Sequence, residues 1–305
     1  MLRRTFGSVL LALTLAGGCD GAGSTEPSSA AAADPEPPAA PKPEPKPERE
    51  PKAAAEPNPS APAGEEAGAG KPGPAGVALA ARVDAWVEQA GAHARDNKLT
   101  EAAALYQKAL DQVPDRADAA AGLARVYLEQ DKLKEALRLF AIATPALEDN
   151  AKLWRDVGYA HAGLEQYDES AKAYAKAHAL APDDVVIALA HGRAVRLSGK
   201  PEAAITLLEA VATADPKLQY VYTELGDAQR EAGKLDDALK SYMRAQMHYA
   251  SDKKARAGAA LVYEAKGETD RALDEWSSYI RMDCCSKYSK EVALKKVVEL
   301  RGAPP

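Results

Sequence analysis

Residues 151–184 read AKLWRDVGYAHAGLEQYDESAKAYAKAHALAPDD, and this stretch decides the fold. Steps of three and four return to the same side of a helix. Along those steps the stretch carries Gly158, Ser170 and Ala177, with a large ring only at Trp154 and Tyr174. Two helices approach closely only where one surface offers a groove and a bulky neighbour fills the remaining space. Working outward, the chain falls into register with itself at a period of 34 residues. Six gapless units result, at 83–116, 117–150, 151–184, 185–218, 219–252 and 253–286.

Place 8 of each unit is small: Ala90, Ala124, Gly158, Gly192, Gly226 and Ala260. Place 20 is small as well, with Ala102, Ala136, Ser170, Ala204, Ala238 and Ala272. Place 24 is bulky throughout (Tyr106, Phe140, Tyr174, Leu208, Tyr242 and Trp276). Place 27 is Ala109, Ala143, Ala177 and Ala245 in four units, with Val211 and Tyr279 in the others. Places 4, 8 and 11 share one face of a first helix, and 17, 20, 24 and 27 share one face of a second. Each unit is therefore predicted to be a helical hairpin. Pro114, Pro182 and Pro216 at place 32 stop the second helix, and Gly199, Gly233 and Gly267 at place 15 turn the chain between helices.

These residues resemble the tetratricopeptide repeat, whose pattern is Trp, Leu, Gly, Tyr, Ala, Phe, Ala, Pro at places 4, 7, 8, 11, 20, 24, 27 and 32. The third unit is similar to it in Trp154, Val157, Gly158, His161, Ser170, Tyr174, Ala177 and Pro182. The second and sixth units depart at place 32, with Glu148 and Cys284, and the sixth has Arg256 at place 4. The resemblance implies an all-α fold, a right-handed superhelix (α-solenoid) of six hairpins spanning 77–286. After it, SKEVALKKVVELR forms an amphipathic helix with Val292, Val297 and Leu300 on one side. Stacked repeats expose an apolar end, so residues 287–305 are read as a capping helix and tail.

The N-terminal part has a different composition. MLRRTFGSVLLALTLAGGC places two Arg before an apolar run and small residues, the layout of a secretory signal over 1–18. LAGGC resembles the lipobox of bacterial lipoproteins, with Ala16 where that family usually has Leu; the resemblance implies lipidation at Cys19, with simple secretion as the alternative. Fourteen of the 21 prolines lie between Pro27 and Pro74, and residues 19–76 hold too little apolar surface to offset chain entropy. They are read as a disordered Pro/Ala/Glu-rich linker. Between Asp20 and Ala81 ten acidic residues face five basic ones, which accounts for −5 of the chain's net −6. No Lys/Arg block or basic stripe interleaved with aromatics is left to support a nucleic-acid partner.

Chemistry finds no foothold in the sequence. Of the five histidines, His93 and His161 stand at place 11 and His191 at place 7, which are packing places, and neither these nor His178 and His248 have a His, Cys or carboxylate at a metal-ligand spacing. No nucleophile motif of the GxSxG kind occurs. No catalytic residue, metal, cofactor or small-molecule substrate is expected. Cys284 and Cys285 are adjacent, and are read as two thiols, a strained vicinal disulfide or an intermolecular bridge.

The resemblance also implies a binding surface, because first-helix places 2, 5, 9, 12 and 13 line the inner face of such repeats. Across units two to five these places yield Arg125, Arg155, Tyr159, Arg193, Arg196, Tyr220, Asp227 and Arg230. Arginine forks suit carboxylates, so an acidic or carboxylate-bearing protein segment is the expected ligand. The competing reading is that Glu129, Asp156, Glu224 and Glu231 neutralise these arginines. Taken together, the sequence suggests a non-catalytic scaffold of the bacterial cell envelope, lipid-anchored and facing the periplasm. It resembles lipoproteins that pilot pilus secretins or serve outer-membrane insertion machinery. A regulatory subunit of an envelope enzyme such as a peptidoglycan synthase, or a passive spacer, are the alternatives.

Overall fold

A computed structural model describes residues 74–283 and 286–302, all within one compact unit. The expected signal, the linker up to residue 73, Cys19, Cys284 and Cys285 lie outside the described residues. Among the described residues there is no strand. Helices α1 (Pro74–Arg95) and α2 (Leu99–Gln112) form the first hairpin, α3 (Ala117–Glu129) and α4 (Leu133–Ala143) the second, α5 (Ala151–Gly163) and α6 (Tyr167–Leu180) the third. Next come α7 (Val185–Leu197) with α8 (Pro201–Ala214), α9 (Val221–Glu231) with α10 (Leu235–His248), and α11 (Lys253–Ala265) with α12 (Thr269–Met282). The expected all-α solenoid of six hairpins is what the chain forms. Its α1 begins at Pro74, so the last three residues of the stretch read as linker are helical.

All twelve residues at places 8 and 20 are buried, and so are the six bulky ones at place 24. The reason for glycine at place 8 is visible as distance. A methyl group on Gly158 would lie 2.8 Å from the Tyr174 ring, and one on Gly226 would lie 2.7 Å from that of Tyr242. Those gaps are well inside van der Waals contact, so the small residue is what lets the two helices of a hairpin close. A second set of close approaches joins consecutive hairpins. The Tyr106 ring covers Gly122 of the second hairpin, and the Tyr242 ring covers Gly258 of the sixth, each 2.3 Å from where a Cβ would sit.

Helix ends follow local chemistry. Place 15 is left-handed in every unit: Gly199, Gly233 and Gly267 have φ of 80°, 76° and 73°, while Asn97, Asp131 and Glu165 all adopt 58°. Asn and Asp tolerate this region; Glu165 is the unusual occupant. The second helix of unit two stops early, because Pro145 follows its last turn in place of the missing proline at place 32. At place 34, Asn150, Asp184 and Asp252 cap α5, α7 and α11 by accepting backbone N–H bonds. Unit four has Leu218 there, which cannot cap, and α9 accordingly starts two places late, after Tyr220 in the left-handed region at φ 67°.

A π-helical turn, Ser289–Ala293, runs into α13 (Leu294–Leu300). Ala293, Val297 and Leu300 pack with Trp276 and Tyr279, so the expected cap covers the end of the stack. Lys296 fastens it to Glu264 of α11 at 2.8 Å, and the same carboxylate accepts the Trp276 indole N–H at 2.6 Å.

Candidate functional site: the arginine-lined inner face

First helices of neighbouring hairpins pack directly on one another, α1 on α3, α3 on α5, α7 on α9 and α9 on α11. They therefore form the tighter, inner side of the stack. The structure gathers seven of the eight residues expected to line it into two clusters of different character and leaves Tyr220 outside both.

The first cluster lies at the junction of the second and third hairpins. Arg125 Nε donates to Asp156 Oδ2 at 2.7 Å, and Arg155 Nη2 donates to Asp156 Oδ1 at 2.8 Å. Asp156 is almost fully buried (side chain 9% exposed), whereas the two guanidinium side chains remain 45% and 44% exposed. Two positive charges against one leave the cluster one unit positive, with donors turned to solvent. Tyr159 stands beside it, 40% exposed. Arg193 and Arg155 both act on the nearby hydroxyl of Tyr174, which burial holds above the usual phenol range against their pull. Arg95 extends the row. It lies over Gly91, next to the Tyr106 hydroxyl, which burial raises and Arg125 and Arg95 pull down. Arg95 has no ion pair among the described residues. It occupies place 13 of the first unit, so the same place-by-place reading would have found it there.

The second cluster, between the fourth and fifth hairpins, neutralises itself. Arg196 is 10% exposed and bonds Glu224 at 2.9 Å and Glu231 at 2.7 Å. Arg193 adds a 3.5 Å pair to Glu224. Arg230 lies 3.9 Å from Asp227 and 3.7 Å from Glu231. Three arginines meet three carboxylates. Beneath them, the Tyr242 hydroxyl donates to Asp227 Oδ1 at 2.6 Å, and burial raises the Asp227 carboxyl above the ordinary range while Arg196 opposes that. Arg196 and Asp227 are thus tied into the packing of the stack. Of the acids expected to neutralise the face, Asp156, Glu224 and Glu231 do so; Glu129 is exposed, with no ion pair among the described residues. Tyr220 sits apart, at the start of α9, with Lys254 5.8 Å from its ring.

These devices repeat every two hairpins. Arg125 to Asp156 and Arg193 to Glu224 span the same 31 residues, one pair 68 residues after the other. Trp86, Trp154 and Tyr222 at place 4 of the odd units each carry a cation from place 26, Lys108, Lys176 and Arg244, within 4.3, 4.1 and 5.7 Å of the ring centroid. Where place 24 is tyrosine, place 6 of the next unit is small (Gly122, Ala190, Gly258); where it is Phe140 or Leu208, place 6 is an acid, Asp156 or Glu224. The signal was present in the sequence, hidden beneath the stronger 34-residue one.

Among the described residues no group of three or more His, Cys, Asp or Glu side chains is placed to hold a metal ion. His161 bonds Gln166 at 2.7 Å and His248 stacks on Tyr222, while His178 and His191 meet across a junction. Burial, and after it His178, lowers the His191 pKa. No described helix is long and apolar enough to cross a membrane.

The stacked hairpins with small residues at their crossings define an interaction solenoid. Family models described as tetratricopeptide repeat match residues 93–156 and, in overlapping stretches, 155–219, 189–247 and 223–282; the chain belongs to the tetratricopeptide repeat family. A TPR repeat-containing protein of Methanocaldococcus jannaschii is 24% identical over 161 residues, which are 52% of this chain and 28% of that protein. This chain therefore matches little more than a quarter of that relative's length. Among solved structures, PilW, described as a widely conserved type IV pilus biogenesis factor, superposes with a TM-score of 0.58 at 20% identity, covering 69% of this chain and 97% of PilW. Pseudomonas aeruginosa PilF gives 0.54 at 18% identity, covering 72% and 99%. At these identities the likeness is one of fold.

Proposed function

We propose that the protein is a non-catalytic scaffold of the bacterial envelope that holds an acidic or carboxylate-bearing segment of a partner protein along the inner face of its first three hairpins. One observation carries this reading. Arg125 and Arg155 share the single buried carboxylate of Asp156 and keep their guanidinium groups half exposed, so the pair is held in place yet still has donors to offer. Fork-shaped donors of this kind bind carboxylates through two parallel bonds. Arg95 and Tyr159 widen the same surface. Support for the envelope comes from the secretory layout and lipobox-like LAGGC at the N-terminus, and from the fold shared with PilW and PilF. A lipid on Cys19 and the linker would tether the repeats to a membrane, and assembly of an envelope complex is the role this arrangement suits.

The test is Arg95→Glu with Arg125→Gln, which removes two of the exposed forks while Arg155 still pairs with the buried Asp156. Crosslinking from a photoreactive residue at Tyr159 in intact cells identifies the partner by mass spectrometry. The double variant is expected to lose that crosslink while its circular dichroism stays normal. Undiminished capture by the variant would remove this surface from consideration. Arg193 and Arg196 are poorer choices for the test, because charge reversal there would break the neutral cluster that holds the fourth and fifth hairpins together.

A further inference from the structure

The third and fourth hairpins meet through two histidines, His178 in the last turn of α6 and His191 in the middle of α7. Their Nδ1 atoms face each other at 3.4 Å, and the rings cross at 70° with centroids 5.7 Å apart. One of the two nitrogens therefore carries the proton and the other accepts it. Both side chains are half-buried, so protons from solvent reach them. Their surroundings make this junction the weak point of the stack. Buried apolar side chains form one cluster from Val83 to Ala173 in the first three hairpins and another from Ala188 to Val262 in the last three, and neither reaches from α6 to α7. Among neighbouring first helices, α5 and α7 pack least closely.

The other charges of the helices that meet here are engaged elsewhere or screened. Asp168 and Lys200 hold each other at 2.8 Å, Lys176 lies over the Trp154 ring, Arg155 is tied to Asp156 and His161 to Gln166. On α7, Arg193 and Arg196 turn to Glu224 of α9, and Asp184 caps the helix start. Lys152, Glu169, Lys172, Asp183, Glu202 and Glu209 are exposed, where water and salt screen them. Burial first, and His178 after it, hold the His191 pKa below the ordinary 6.5. With the folded value depressed, the stability tied to neutral His191 is complete above the unfolded pKa and is lost as pH falls below it.

We propose that the junction of α6 and α7 is an acid-sensitive hinge. While at least one ring is neutral, the two nitrogens share a proton and hold the hairpins together. A second proton removes the acceptor and sets two cations 3.4 Å apart, at the place where no apolar cluster bridges the stack. Exchanging one hydrogen bond for a like-charge contact raises the open fraction of the junction by about tenfold. Opening changes the curvature of the inner face between the Arg125 and Arg155 pair and the neutral cluster. The hinge stands on the geometry of this junction and does not depend on the partner proposed above.

The experiment is amide hydrogen exchange of the full chain at about pH 7.5 and about pH 5.0, read by mass spectrometry and corrected for the intrinsic effect of pH. Peptides from 167–197 are expected to exchange about tenfold faster at the lower pH, while those of α3 and α4 keep their protection. Asp227 of α9 titrates with the opposite sign: burial raises its carboxyl, so protonation stabilises the fourth-to-fifth junction, and resolution by peptide separates the two effects. His178→Gln and His191→Gln keep polar side chains that take up no proton, and each should abolish the acid-induced rise. Should a variant fail to fold, imidazole NMR of the wild-type chain gives a second measure. The two rings should then titrate in separate steps, with His191 below 6.5. Equal protection of 167–197 at both pH values, a rise that persists in both Gln variants, or two independent titrations at the ordinary value would overturn the proposal; in that case the pair is a simple packing contact.

Discussion

Gly258→Ala reverses the effect that helix propensity alone anticipates. In the interior of a helix, replacing glycine by alanine ordinarily stabilises by about 0.5–1 kcal/mol. Here the added methyl would lie 2.3 Å from Cζ and 2.5 Å from Cε1 of the Tyr242 ring, more than an ångström inside contact distance. The ring has little freedom to retreat. It is fully buried, it lies so near Gly226 that a Cβ there would come within 2.7 Å of it, and its hydroxyl is held by Asp227 at 2.6 Å. Overpacking a tight site costs about 1–3 kcal/mol, and an overlap this deep against an aromatic ring belongs at the upper end. Setting that against the propensity gain leaves a net loss of roughly 2 kcal/mol. Beyond Tyr174 the same place already holds Ala190, so a methyl is tolerable where the junction is set for it; the fifth-to-sixth junction is not. Urea and thermal melts of the purified chain measure the effect. Adding Tyr242→Leu, which copies Leu208 of the fourth unit, should relieve much of the strain in a double-mutant cycle. A G258A protein as stable as the parent, or more so, would refute the claim that the two hairpins close over that glycine.

Other outcomes follow from the same geometry. Glu165 occupies a left-handed position that glycine fills in the last three units, so Glu165→Gly should stabilise by about 0.5–1 kcal/mol and raise Tm by a few degrees. Arg196→Ala leaves Glu224 and Asp227 without their main counter-charge in a nearly closed site; a loss of about 3–5 kcal/mol is expected, readable as a lowered urea midpoint. Arg125→Ala, by contrast, should cost about 1 kcal/mol or less in the same melts, since its side chain is half exposed and Asp156 keeps Arg155. Deleting 289–305 uncovers the buried Trp276 and Tyr279, and the truncated protein should self-associate in light-scattering chromatography; a monomer of unchanged Tm would show that α13 is not a cap.

Much of this was legible in the residues alone. The 34-residue period, the inward small and bulky places and the place-15 turns are local properties: each depends on neighbours three or four residues away, or on the backbone angle of one residue, and linear sequence records such relations directly. Even the stop at Pro145 and the uncapped start of α9 are local, although only the helix ends themselves make them evident. The inner-face arginines were also legible as a list. What the list could not contain was their pairing. Whether Arg125 or Arg196 keeps a donor for a ligand depends on where Asp156 and Glu224 come to rest on the next hairpin, and His178 meets His191 for the same kind of reason. Those distances are set by the crossing angle and offset between separate helices, which arise from the summed packing of many side chains and leave no fixed spacing along the chain. The sequence thus determined which faces are buried; only the stacked structure decided which charges on the open face remain available.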